Sequence, residues 1–121
     1  MNTNCVFCNI ARGKIKSEII YENSSFFSVF DTAPQIKGHA LVISKKHFKN
    51  SLDLPNIFGP ELLDCIKNTA IKLMKQYKSD GFNIVNNNFK SAGQIVDHIH
   101  FHILPRKSKD GYSLSLKKKK E

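Results

Sequence analysis

The sequence predicts an α+β domain with a mostly antiparallel sheet, on three observations. Four or five short strand-like stretches follow one another, and one long amphipathic helix sits in the middle of the chain. The segments between strands leave little room for the crossovers that a parallel sheet needs. The 121 residues fit one domain rather than two, and suffice for a sizeable core.

Taken in order, residues 5–15 (CVFCNIARGKI) hold a short helical turn. EIIYE and FFSVFD read as strands around a turn at Glu22-Asn23-Ser24-Ser25. TAPQIKG is a loop, HALVIS an apolar strand, and KKHFKNSLDLP a polar connection punctuated by Pro55. Residues 60–78 are the clearest helix: Pro60 opens it, Glu61 and Asp64 lie in its first turns, and Lys72, Lys75 and Lys78 lie toward its end. Its stripe of Leu62, Ile66, Ala70, Leu73 and Tyr77 suits packing on a sheet, and Cys65 reads as a small core residue. Asp80 and Gly81 close the helix, FNIVNN is a strand, NFKSAGQ a loop, and IVDHIHFHILP a strand ended by Pro105. There are no repeats.

Composition narrows the class. No apolar run approaches the roughly 20 residues that span a bilayer, so no membrane association is expected. The start, MNTNCVFC, lacks the regions of a signal peptide. A cytoplasmic protein is therefore expected, with its three cysteines as reduced thiols or metal ligands. The formal charge of +9 favours anionic partners, and residues 107–121 alone carry a net +4. This divides the chain into a folded domain over 1–106 and a basic tail over 107–121, either a solvated end or an arm for nucleic acid; nucleic-acid contact is not the expectation.

The stretch HIHFHILPR places three of the five histidines in five residues. On a strand, His98, His100 and His102 share one face while Ile99, Phe101 and Ile103 share the other. The five histidines do not fit one site, because an extended chain separates His39 from His47 by up to about 26 Å and His98 from His102 by roughly 13 Å. If the strand from His39 toward His47 runs antiparallel beside the one from His98 to His102, His47 meets His98 and His39 approaches His100 and His102. The first pair can then join Cys5 and Cys8, whose C-x2-C spacing suits a closed tetrahedral zinc site that pins the N-terminal segment to the sheet. The other reading of these cysteines is a pair of plain thiols. The second group has no metal requirement left: a neutral imidazole is a competent nucleophile near pH 7, and its neighbours can bind anionic oxygens.

HIHFHIL, with CVFCNIARGKI, VFDTAPQIKGHALVISKKH and GFNIVNNNFKSAGQ, resembles the histidine triad (HIT) family of nucleotide hydrolases and transferases, and within it the cysteine-containing, prokaryotic-type members of the Hint-like branch. The likeness runs from Cys5 to Arg106. It implies a five-stranded antiparallel sheet with one long helix and a short N-terminal helix, a homodimer, and a purine nucleotide or nucleotidyl conjugate as ligand. It further implies that His100 attacks the α-phosphorus of a purine nucleoside phosphoramidate to form a nucleotidyl-histidine that water hydrolyses, with His102 and His39 orienting the reacting groups. By the same likeness Asp31 meets the ribose, Phe7, Ile10 and Val29 line the base pocket, and Asn87, Gly93 and Gln94 form the phosphate-side loop. Cys5, Cys8, His47 and His98 match structural zinc ligands, and no catalytic cofactor is implied.

Three positions depart from the family pattern. Ile95 replaces a usual Ser or Thr, Asp97 a usual aromatic or aliphatic residue, and Phe89 a usual glycine. Competing readings are a dinucleoside polyphosphate hydrolase, a nucleotide-binding scaffold with incidental turnover, and a zinc hydrolase that uses His98, His100 and His102 as ligands. The roughly 13 Å between His98 and His102 disfavours the last.

Overall fold

A computed structural model describes residues 4–114. The basic run at 117–120 lies outside the described residues. The elements are α1 (Val6–Ala11), β1 (Ile19–Glu22), β2 (Phe26–Phe30), β3 (Ala40–Ser44), α2 (Gly59–Tyr77), β4 (Gly81–Val85) and β5 (His100–Arg106). The five strands form one antiparallel sheet in the order β1-β2-β3-β5-β4. The expected α+β fold, with one long and one short helix, is the one observed.

Alternation along the strands separates two faces. On one, Phe26, Ala40, Val42 and Ile103 pack against Cys65, Ile66, Ala70 and Leu73 of α2. On the other, Phe27, Val29, Leu41 and Ile43 pack against Cys5, Phe7 and Cys8 of the N-terminal segment. The helix stripe read from the sequence is therefore the packed one, with Cys65 and Thr69 buried beside it. Burial pushes the Cys65 thiol up to about 11, which keeps it protonated and inert.

The helix ends earlier than Asp80. Tyr77 is its last residue, and Lys78 takes the left-handed cap (φ 51°, ψ 43°) with its N–H donating to the Met74 carbonyl. A lysine in that role gives no sequence signal, because glycine is the usual occupant. At the other end of the sheet, Pro105 continues β5 instead of ending it. It pairs with Phe82 at a point where β3 has already stopped, so its missing N–H removes no ladder bond. Gly38 (φ 86°) passes so close that an added β-carbon would lie 2.7 Å from the Tyr77 ring and 2.9 Å from Pro105.

Candidate active site and metal centre

β3 and β5 carry the chemistry. Their register places Leu41 opposite His102 and Ile43 opposite His100, so both histidines stand on the face away from α2. The antiparallel neighbourhood expected from histidine spacing is present, and it sorts four of the five rings into two groups, with His100 beside the second. The expected strand from residue 95 is not: β5 begins at His100, and 96–98 form a bend in which the His98 N–H reaches the Val96 carbonyl at 2.9 Å. His98 therefore precedes the ladder. Its ring still lies on the same side, because Phe7 packs edge-on against both His98 (5.8 Å between centroids) and His100 (5.0 Å).

The first group is Cys5, Cys8, His47 and His98, whose ligand atoms all lie within 4.8 Å of one another. Cys5 Sγ is 3.3 Å from His98 Nδ1, and Cys8 Sγ is 3.2 Å from His47 Nδ1 and 3.5 Å from His98 Nδ1. Ligands on a tetrahedral zinc, at its usual Zn–S and Zn–N bond lengths, stand about 3.6 Å apart. The donor set thus fits a metal ion in chemistry and spacing. The shell around it is also prepared: His98 Nε2 lies 2.8 Å from the Ser44 carbonyl, so it carries the proton, and the Nδ1 lone pair faces the sulfurs. Burial lowers the His98 pKa to about 4, keeping the ring neutral as ligation requires.

The second group is Asp31, His39 and His102, again within 4.8 Å. Here the hydrogen bonds assign the protons. The Gln35 backbone N–H donates to His39 Nδ1 at 3.0 Å, so the neutral His39 ring carries its proton on Nε2. That proton points at His102 Nδ1, 2.8 Å away, and Asp31 Oδ2 stands 3.5 Å from the same nitrogen of His39. His102 is left with its own proton on Nε2. Burial lowers the pKa of both rings, that of His102 to about 4 with the charges on His100 and His39 adding to the effect. Both are hydrogen-bond donors near pH 7, not acids.

His100 has the opposite tautomer. Its Nδ1 lies 2.7 Å from the His98 carbonyl, so Nδ1 carries the proton and the neutral ring presents a lone pair at Nε2. The His100 and His102 rings are 5.2 Å apart. A lone pair and a donor therefore stand side by side, the first set by the His98 carbonyl and the second by the His39 ring.

The remaining expected residues divide. Phe7, Ile10 and Val29 belong to the cluster beneath the histidine face, Phe7 and Val29 being buried in it. Asp31 ends just beyond β2 and accepts the Ala33 N–H at 2.9 Å. Asn87 lies over Gly93, where an added β-carbon would be 3.8 Å from its amide nitrogen. The Gln94 side chain is committed inside its loop: its amide donates to the Lys49 and Val96 carbonyls at 2.6 and 3.0 Å, and its oxygen accepts the Phe89 N–H at 2.8 Å. Phe89 itself has φ 72° and ψ 156°, a conformation natural to glycine, so the phenylalanine there carries backbone strain, with its N–H held by Gln94 Oε1. Ile95 and Asp97 are exposed beside this loop.

Three contributors gave no sequence signal. They are the Ser44 carbonyl, the Gln35 amide, and Asn86, whose side-chain amide donates to the His100 carbonyl at 2.9 Å. Backbone groups act through position, which a residue name does not reveal. A hollow of about 570 Å³ bordered by Lys37, Tyr77, Lys78 and Pro105 lies on the α2 side and has no histidine in its wall. The chemistry belongs to the opposite face.

Comparison with known proteins identifies the family and the fold. The HIT domain family matches residues 12–109. An uncharacterized HIT-like protein of Methanocaldococcus jannaschii is 41% identical over 109 residues, which cover 88% of this chain and 82% of the relative. An adenosine 5'-monophosphoramidase of Schizosaccharomyces pombe is 35% identical over 107 residues, 88% of this chain and 77% of the relative. Among solved structures, a protein of Streptococcus mutans superposes with a TM-score of 0.90 at 36% identity, covering all of this chain and 77% of that one.

Proposed function

The chain belongs to the HIT domain family, and from that membership we propose that it is a nucleotide hydrolase acting on purine nucleoside phosphoramidates or related nucleotidyl conjugates. The observation that carries the reading is the pair of opposite tautomers: a free lone pair at His100 Nε2 beside an N–H at His102 Nε2. Substitution at phosphorus needs a positioned nucleophile and donors toward the spreading negative charge, and this pair supplies both.

In this reading His100 Nε2 bonds to the α-phosphorus and the P–N bond breaks. Its electron pair leaves with the nitrogen, which takes up a proton from solvent and departs as the amine. Water then attacks the same phosphorus and gives up a proton to solvent as the His100–phosphorus bond breaks, freeing nucleoside monophosphate and His100. His102 donates to a non-bridging oxygen throughout, and His39 and Asp31 hold His102 in the donating tautomer. Asp31 would also accept from the ribose hydroxyls, Phe7, Ile10 and Val29 would shape the base site, and Asn87 and the Gly93–Gln94 backbone would meet the phosphate. Gln94 acts there through its loop, since its side-chain amide is spent.

The metal assigned to Cys5, Cys8, His47 and His98 is a structural zinc: four protein ligands leave no position for substrate. No catalytic cofactor enters the proposed steps. A homodimer fits the open outer edge of β4, where Phe82 and Ile84 are 38% and 49% exposed, and a cytoplasmic site fits three cysteines that form no disulfide. Among the described residues no helix is long and apolar enough to cross a membrane. The domain is taken as 1–106 with a basic tail from 107.

The test is intact-mass detection of a nucleotidyl adduct after rapid mixing with adenosine 5'-phosphoramidate, with the adduct mapped to His100. Turnover with no adduct, or an adduct on another residue, would overturn the mechanism.

A further inference from the structure

The tautomer of His39 depends on one backbone amide, that of Gln35, in the segment 32–38 between β2 and β3. Thr32 to Gln35 are exposed, so core packing does not hold them in place. The base of the segment is closed by the Asp31 N–H to His39 carbonyl bond (2.9 Å), and its far side by the His39 N–H to Ile36 carbonyl bond (3.1 Å). Gln35 sits between these clamps. Its side-chain oxygen accepts the hydroxyl of Tyr112, 3.0 Å away and 77 residues later in the chain.

Tyr112 is itself held. Arg106, the last residue of β5, lies over its ring at 5.0 Å and donates to its carbonyl. Arg106 is in turn fixed by Asp110 through two bonds of 2.7 and 2.9 Å and by Asn83 of β4 at 2.7 Å. The chain after the sheet is thereby folded back onto the loop that fixes His39. The chemistry proposed above does not use this arrangement.

We propose that Tyr112 and Gln35 are positioning residues for the histidine pair: the Tyr112 hydroxyl tethers the Gln35 side chain, the tether holds the Gln35 amide on His39 Nδ1, and that bond keeps the Nε2 proton on His39 directed at His102. The inference deepens the phosphoryl-transfer reading and rests on it for its kinetic consequence. It also has a consequence that does not involve turnover. Without the tether the neutral His39 ring is free to exchange tautomers, and His102 loses the donor that sets its own.

The experiment compares wild type with four full-length variants. Tyr112→Phe keeps the ring over Arg106 and removes the hydroxyl. Gln35→Met removes the acceptor at similar volume, Gln35→Glu restores an acceptor, and the fourth chain combines Tyr112→Phe with Gln35→Met. Nitrogen-15 spectra of the imidazoles, without ligand at neutral pH, read the tautomer of His39. A single form is expected in wild type and Gln35→Glu, and a mixture in the other three. With adenosine 5'-phosphoramidate, kcat is expected to fall about threefold to tenfold in each of those three, with little change in KM and no further loss in the double variant.

An unchanged His39 signal in both Tyr112→Phe and Gln35→Met overturns the tether. So does an additive loss in the double variant, or a Gln35→Glu chain as slow as Gln35→Met. If wild type shows no turnover, the hydrolase reading fails instead, and the nitrogen spectra decide the tether by themselves.

Discussion

His98 faces two ways: its ring Nδ1 lies 3.3 Å from Cys5 Sγ, while its carbonyl oxygen accepts the Nδ1–H of His100 at 2.7 Å. One residue thus joins the cysteine cluster to the proposed nucleophile. Substitutions should sort accordingly. Protein purified without added metal should carry about one zinc per chain, lost in Cys5→Ser, Cys8→Ser and His47→Ala with a lower melting temperature, and retained in His39→Ala. His98→Ala should harm both zinc content and rate, and its stability cost should be strongly non-additive with that of Cys8→Ala. Elemental analysis and thermal melts decide this; a metal-free wild type that melts identically with and without zinc would sink it.

His100→Ala should abolish turnover while nucleoside monophosphate binding stays within about tenfold, since the nucleophile serves bond formation more than ground-state affinity. Single-turnover release and equilibrium binding measure the two separately. A variant that keeps more than a few per cent of the rate would move the nucleophile elsewhere.

Acid should destabilise the fold earlier than its carboxylates would. His98 and His102 are held neutral with pKa values of about 4, against 6.5 in the unfolded chain. The unfolded state therefore binds protons first as pH falls. Stability is full above about pH 6.5 and is lost progressively toward about pH 4. Melting temperature measured across that window should fall, and His102→Asn should flatten part of the fall; a profile that stays level down to pH 4 would contradict the assignment.

Gly38→Ala should cost about 2–4 kcal/mol, combining left-handed strain with overpacking against Tyr77 and Pro105. Gly13, also at positive φ but facing open space, provides the control: Gly13→Ala should cost only about 1–2 kcal/mol. Urea unfolding of the two variants makes the comparison, and equal losses would mean that the Tyr77 ring yields.

The order of strands and helices was legible because each has its own hydrophobic period, and the pairing of His47 with His98 and of His39 with His102 followed from spacing once β3 and β5 were set antiparallel. The start of β5 was not legible. Ile95 and Ile99 share the apolar phase of Phe101 and Ile103, but the backbone from 96 to 98 bends toward Phe48, whose carbonyl accepts the Ile99 N–H at 2.7 Å. The commitment of the Gln94 side chain was hidden for a similar reason: its partners are the carbonyls of Lys49 and Val96, atoms that every residue possesses. Tyr112, 77 residues from Gln35, carries no local pattern at all.

The cysteine and histidine donors also impose an order on how the chain assembles. Cys5 and Cys8 emerge long before His98 during synthesis, yet Cys5 meets His98 across 93 residues. A six-residue helix such as α1 is too short to persist alone, so it waits for the sheet that buries Phe7 and Cys8. Pairing of β3 with β5 has to come first, and closing so long a loop is slow. Until then the two thiols are an open pair, exposed to oxidants and to stray metal ions; afterwards the last segment to dock shields them. The N-terminal segment would then act as a latch that closes on a finished sheet, and the proposed nucleophile, His100, is the residue next but one to the catch, His98.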